Sequence, residues 1–414
     1  MQASFRAGLG ALRELEFRLL FAATTISTLV DSVANIALAF AVLEFTNNSA
    51  SKLGIVIAAR LIANASMLLL GGVLSDRLPR NRVLVGASLL QGAAQAGTAA
   101  AVLAGDPSLA LIVGLQALYG VGDGFVLPAE VGLVPQTVSA DRLQQANALQ
   151  GLSRNVVFVL GPALGGGIVA AGSPGIALAL DAASFFACAY LLARIRTPAV
   201  VREVAAGFFH ELKEGWDEFT SRTWLWSTVI LFGIGNVFFM FWGVLGPKIA
   251  NERLGGVGAW AAFTTASGLG AVAGGLVSLR YRPSRPLVAC VVAPLPWVLQ
   301  FVLLGLEAPR WAIAAASVLG GAGLAIHLAL WFTTFQQEVP EHAQSRVSSY
   351  DALGSFVLNP VGAAIAGPVA AALGTDGALF LAAAAIVVLN TSMLLIPSVW
   401  AIRRNEPPST MAAA

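Results

Sequence analysis

The sequence predicts an all-α membrane protein: twelve transmembrane helices in two pseudo-symmetric six-helix halves. Three observations predict it. Of the 414 residues, 57% are hydrophobic and 11% charged, with a mean hydropathy of +0.78, whereas soluble domains run near about 45–50% apolar and about 25% charged. Apolar runs of roughly 20 residues, enough to cross a hydrocarbon core of about 30 Å, recur along the whole chain. A short charged interruption between two such runs occurs twice, 203 residues apart.

The runs fall at 17–43, 53–74, 83–104, 109–129, 148–171 and 175–195, and again at 224–246, 258–279, 286–306, 311–332, 348–373 and 377–400. Their unbroken apolar character excludes a membrane barrel, whose strands alternate over about ten residues. The chain therefore divides into a first half at 1–195, a linker at 196–222 and a second half with a short tail at 223–414. In the linker, Phe208, Leu212, Trp216 and Phe219 recur at helical spacing with charges opposite. That pattern predicts an amphipathic helix on the membrane surface.

Orientation follows from the basic residues. With the amino terminus inside, 19 of the 24 Lys and Arg lie on the inner side, Lys52, Lys248, Arg253 and Arg310 lie outside, and Arg60 lies within a span. This asymmetry predicts a multi-pass protein of the inner (plasma) membrane with both termini cytoplasmic. The first apolar run is long and lacks a small-residue cleavage site, so no cleavable signal is expected.

Several function classes are disfavoured. A net charge of +2 with dispersed basic residues gives no reason to expect nucleic acid. Cys188 and Cys290 lie far apart inside apolar runs, as core or lipid-facing thiols rather than a disulfide or metal pair. His210, His327 and His342 have no metal-ligand spacing, and no Ser-His-Asp or Cys-His pattern declares itself. Lys52, Lys213 and Lys248 lack the neighbours of a phosphate-binding loop. No enzyme activity, metal or cofactor is expected.

The charged interruption, Gly72-Val73-Leu74-Ser75-Asp76-Arg77-Leu78-Pro79-Arg80-Asn81-Arg82, packs one acid and three arginines together. Its copy, Gly275 to Arg285, keeps Gly, Ser, Arg280 and Arg285 but has Leu279 in place of Asp76. A carboxylate at the end of the second helix can accept charge-assisted hydrogen bonds or meet a helix N-terminus, favouring one state of a gate. Arg77, Arg80 and Arg82 serve such a gate, anionic headgroups, or topology alone. A second repeat pairs Val134-Pro135, Arg142 and Gly161-Pro162 with Val339-Pro340, Arg346 and Asn359-Pro360, at offsets of 205, 204 and 198. Duplicated halves of this kind enclose a site that opens alternately to each side.

In Gly161-Pro162, proline removes a backbone donor and bends the helix, while Gly165 and Gly166 permit close approach. A hinge or leak-tight seam and ordinary helix packing both fit. Ionisable groups inside spans are costly and therefore functional candidates. Asp31, with Asn35 one turn along, and Arg60 lie at similar depth on sequential helices. Either the pair is ionic and structural, or Asp31 faces a cavity and carries a proton. Asp123, beside Gly120, Gly122 and Gly124, is a second cation or proton candidate. Glu130 with Arg154 reads as a salt bridge, and Asp181 as a local cap or pair. Candidates in the second half are mostly uncharged: Asn236, Gln300, His327 and Asn390. Aromatic residues such as Phe238, Trp242 and Trp331 offer an apolar wall. This uneven distribution suggests coupling in one half and apolar substrate contact in the other.

Gly72 to Arg82, placed between the second and third spans, resembles the signature loop of the major facilitator superfamily. Gly161-Pro162-Ala163-Leu164-Gly165-Gly166 is similar to the fifth-helix signature of its antiporter and drug-efflux members. Glu44-Phe45-Thr46, Asp181-Ala182-Ala183-Ser184-Phe185 and Glu338-Val339-Pro340 resemble the branch of macrolide and enterobactin exporters. The resemblance departs at Gln116, where proton-coupled antiporters carry an arginine. The resemblance implies the fold; the leading functional expectation is a monomeric secondary transporter that exports a small amphipathic or hydrophobic compound by proton antiport, with membrane lipids as its other partners. Uptake or facilitated diffusion on the same fold, and a non-transporting receptor or scaffold, are the alternatives.

Overall fold

The computed structural model describes residues 10–105, 107–196 and 208–404, without the side chains of 68–77, 208–212, 341–342 and 345. Among the described residues there is no strand. The first six long helices are α1 (Leu15–Phe45), α2 (Ala50–Arg77), α3 (Arg80–Leu103), α4 (Leu109–Thr137), α5 (Leu143–Ala171) and α6 (Pro174–Ala193). The linker helix α7 (Phe208–Thr220) precedes α8 (Thr223–Arg253) and α9 (Val257–Ser278). Then follow α10 (Pro286–Val292), α11 (Val298–Gly305), α12 (Arg310–Glu338), α13 (Glu341–Phe356), α14 (Asn359–Leu373), α15 (Thr375–Ser392) and α16 (Pro397–Ala401).

Eleven helical stretches among the described residues are long and apolar enough to span a membrane. The remaining spanning candidate is α3, whose 24 residues give about 36 Å at ~1.5 Å per residue. Its composition is diluted by Ser88, Gln91, Gln95 and Thr98, all buried against protein. Polarity turned inward costs nothing at the lipid face, so a weak hydropathy signal and a spanning helix are compatible here.

Three runs that read as continuous are broken. The 286–306 run is α10, a tight turn at Leu295–Trp297, and α11. Pro294 and Pro296 lack the N–H that would continue the helical ladder. The 348–373 run divides between α13 and α14, with Pro360 at the second residue of α14. The 377–400 run ends in a 3-10 turn at Met393–Leu395 followed by α16, which opens on Pro397.

The chain forms two compact units that do not follow chain order. Of the described residues, one contains those up to 196 with 240–265 and 359–378; the other contains 208–239, 266–358 and 379–404. Within the first unit, a Cβ on Gly166 would lie 2.2 Å from that of Ala261, and a Cβ on Gly54 2.2 Å from the Ala363 carbonyl. Arg253 pairs with Asp376 at 3.0 Å, and Asn251 donates to Asn48 at 2.7 Å. In lipid, where helices gain little from hiding apolar surface, such close backbone approach and hydrogen bonding supply the cohesion.

Two apolar clusters of the first unit position the site. Phe17, Leu20 and Ala23 of α1 pack with Leu84, Leu133 and Leu192. Farther along α1, Ala34, Leu38 and Val42 pack with Leu53, Ile112 and Leu178. Between these levels α1 carries Thr24, Thr25, Ser27, Thr28 and Asp31, so the interior turns polar at mid-helix.

In the second unit, α7 packs on α13. Trp216 and Phe219 face Tyr350 with ring centroids 5.4 and 5.9 Å away, and Glu214 pairs with Arg346. The amphipathic face expected of the linker thus has a protein partner at its carboxyl-terminal end.

Candidate functional site

Three helices each present two polar residues four apart, on one face. These are Asp31 and Asn35 of α1, Arg60 and Asn64 of α2, and Tyr119 and Asp123 of α4. Glycine at 120 brings the last two helices together: a Cβ there would sit 2.2 Å from the Arg60 carbonyl. At that separation the side chains interlock. Asp31 Oδ1 accepts from the Tyr119 hydroxyl at 2.6 Å and from Arg60 Nη2 at 3.3 Å. Arg60 Nη1 donates to Asn35 Oδ1 at 2.9 Å, and Asn35 Nδ2 donates back to Asp31 Oδ2 at 3.3 Å. The guanidinium also lies 4.0 Å from the Tyr119 ring centroid. One turn along, Asn64 Nδ2 donates to Asp123 Oδ2 at 2.8 Å.

Asp31 is both paired and exposed to a cavity. It pairs with Arg60, and with Tyr119, Asp123 and Glu130 it also lines a cavity of about 210 Å³. Glu130 Oε1 accepts from Arg154 Nη2 at 3.0 Å, as the sequence suggests.

A second chain of polar contacts was not legible beforehand. Asp181, expected to cap or pair locally, is fully buried and accepts from distant Gln95 Nε2 at 2.8 Å. Gln95 Oε1 in turn accepts from Gln116 Nε2 at 3.2 Å. Gln116, standing at the expected arginine position, therefore hydrogen-bonds through Gln95 toward Asp181, and the cation of this site comes from α2 as Arg60.

The remaining candidates make other contacts. Gly72, Asp76 and Arg77 close α2, and their side chains lie outside the described residues. Arg80 Nη1 donates to the Gly132 carbonyl at 2.5 Å, fastening the start of α3 to α4, while Arg82 is exposed. Gly161 and Gly165 face α1, where a Cβ would meet Ser32 Cβ at 2.3 Å and Val33 Cα at 3.1 Å. Pro162 lies inside α5 without ending it. Asn236, in the second unit, donates to the Ser355 carbonyl at 2.9 Å.

The second unit has its own cavity, of about 280 Å³, and it is repeat-related to the first. Thr24, Leu84 and Asp123 line one; Thr228, Leu287 and His327, at offsets of 204, 203 and 204, line the other. Where the first holds Asp123, the second holds a histidine. His327 is buried, its Nδ1 2.8 Å from the Cys290 carbonyl, and it stacks on Phe232 at 5.0 Å. Cys188 and Cys290 are free, buried thiols.

Comparison with known proteins agrees with this architecture. The chain is 26% identical over 362 residues to an enterobactin exporter, EntS, of Shigella boydii serotype 18, covering 84% of this chain and 83% of that protein. It is 25% identical over the same length and shares to the EntS of Escherichia coli O1:K1. Among solved structures, a bacterial homolog of the human lysosomal transporter Spinster superposes with a TM-score of 0.71 at 13% identity, covering 95% of this chain and 98% of that one. The nucleoside transporter NupG gives 0.68 at 13% identity, covering 92% and 98%. A sequence model of the Major Facilitator Superfamily matches residues 20–358. With twelve-helix organisation, repeat-related cavities and that match, this multi-pass integral membrane chain belongs to the Major Facilitator Superfamily.

Proposed function

We propose that the protein is a secondary exporter of a small amphipathic or hydrophobic compound, driven by proton antiport through alternating access. The observation that carries this reading is Asp31, a protonatable carboxylate that lines a cavity while answering Arg60 and Tyr119. A proton arriving on Asp31 removes the charge that Arg60 compensates. The polar cluster then has two protonation states of unequal preference for each conformation, which is what coupling requires. Asn35 and Asp123 tune that exchange, and Asn236 contributes on the second half. The relatives named enterobactin exporters support export over uptake.

In this reading the functional halves are 1–195 and 223–414, joined by the 196–222 linker, in the inner membrane with both termini cytoplasmic. Gly72, Asp76, Arg77, Arg80 and Arg82 form the gate loop, a shift of a few kcal/mol being enough to invert a two-state population. Gly161, Pro162, Gly165 and Gly166 form the helix-five seam. The protein acts as a monomer on a small-molecule substrate.

Energised inside-out vesicles carrying the protein, offered dyes, macrolides and siderophore-like compounds, test the reading. Accumulation should be abolished by a protonophore and by Asp31→Asn. Accumulation indifferent to both would sink the antiport mechanism.

A further inference from the structure

The cavity of the second unit is apolar on nearly every side, with Phe232, Trp331, Phe332, Phe356 and Met393 around it. Thr228, His327, Ser348 and Ser355 interrupt that lining, and so does one carboxylate. Asp351 lines the same cavity and is more than nine-tenths buried. Its Oδ2 accepts from Trp331 Nε1 at 3.0 Å and its Oδ1 from Ser355 Oγ at 3.4 Å. Among the described residues no cationic side chain pairs with it; His327 lines the same cavity but is held on the Cys290 carbonyl. In the first unit the half-buried Asp31 has Arg60 as a counter-charge, whereas Asp351 has only neutral donors.

A carboxylate enclosed by aromatic rings and lacking a counter-charge has a physical complement. Opposite charge satisfies the acid, and ring faces attract a diffuse positive centre. A cavity of about 280 Å³ is near the lower end of ligand sites, which span roughly 300–1,000 Å³. We propose that this cavity binds a small lipophilic monocation bearing an aromatic ring, with its positive centre on Asp351 and its ring among Phe232, Trp331 and Phe356. The inference rests on the export reading above in that it names the substrate class that reading leaves open.

Equilibrium dialysis of the purified full chain with radiolabelled benzyltrimethylammonium tests the site. Its uncharged isostere, neopentylbenzene, serves as competitor. The wild type should bind the cation at least tenfold more tightly than the isostere. Asp351→Asn should weaken the cation at least tenfold and leave the isostere unchanged, while Asp351→Glu should retain the cation. Equal affinity of wild type for the two compounds overturns the proposal even if the asparagine variant fails to fold. So does cation binding that is unchanged in Asp351→Asn. Export assays separate the two readings. Cation binding at Asp351 without proton-driven flux would defeat the export reading alone. Proton-driven flux with cation binding indifferent to Asp351 would defeat the site alone.

Discussion

Arg60 lies over the face of Tyr119, guanidinium carbon 4.0 Å from the ring centroid, while the hydroxyl of that same ring donates to Asp31 at 2.6 Å. One aromatic side chain thus supports the cation through its face and the anion through its edge. Removing either function has a distinct signature.

Tyr119→Phe keeps the ring and deletes the donor. A hydrogen bond to a charged group contributes about 1.5–3 kcal/mol, so the unfolding temperature in detergent should fall. Tyr119→Leu deletes the ring as well and should fall further, by about 0.5–2 kcal/mol for the lost cation–π contact. Equal melting of the two variants would mean that the ring face contributes nothing.

Arg60→Lys preserves charge and loses geometry. A lysine ammonium is a point charge without the planar fork that reaches Asn35 and Asp31 together. Proton-driven flux should drop by about tenfold or more, in line with ~1.4 kcal/mol per decade, with unchanged protein in the membrane. Wild-type flux in the lysine variant would show that charge alone suffices.

Gly120→Ala places a methyl 2.2 Å from the Arg60 carbonyl, backbone that cannot step aside. Overpacking of this kind costs about 1–3 kcal/mol. Gly114→Ala, where nothing lies within 4 Å, should be neutral or stabilising by up to about 1 kcal/mol. Thermal unfolding of the two variants side by side decides whether close approach of α2 and α4 holds the site.

Glu14, just before α1, accepts from the hydroxyl and amide of Ser139 and from Arg142. The Ser139 hydroxyl foremost, then its amide and the Arg142 charge, hold the carboxyl below its ordinary value of 4.5. A depressed folded-state value means the stabilisation is present above that ordinary value and is lost as pH falls through the lower one. Glu14→Gln should therefore melt below wild type at pH 7, by under about 1 kcal/mol for so solvent-accessible a contact. The gap should narrow below pH 4.5. A gap that is independent of pH would rule out the ionised carboxylate as its source.

The fold was legible because lipid imposes length and apolarity on each span separately, so spans can be read one at a time. Asp31, Asn35 and Arg60 were legible for a related reason: i to i+4 spacing and sequential antiparallel helices fix their depth. Tyr119 was not, because its value comes from Gly120 drawing α2 onto α4, a contact between segments 60 residues apart. Asp181 looked like a local cap because its partner, Gln95, lies 86 positions earlier in the chain. Asp351 is hidden in the sequence for a different cause. It sits near the start of a span, where an acid reads as interfacial, and only the turn of α13 toward Trp331 places it inside.

The inward polarity of α3 bears on how the chain is made. Ser88, Gln91, Gln95 and Thr98 leave this helix with little attraction for lipid when it first emerges from the ribosome. Its polar partners are synthesised afterwards: Gln116 on α4 and Asp181 on α6. The third segment is therefore poorly suited to partition into the bilayer alone, and its residence there is completed by segments that have yet to be translated. Truncated nascent chains ending before α6 should hold α3 loosely at the insertion machinery, and chains extending past Asp181 should release it into the membrane.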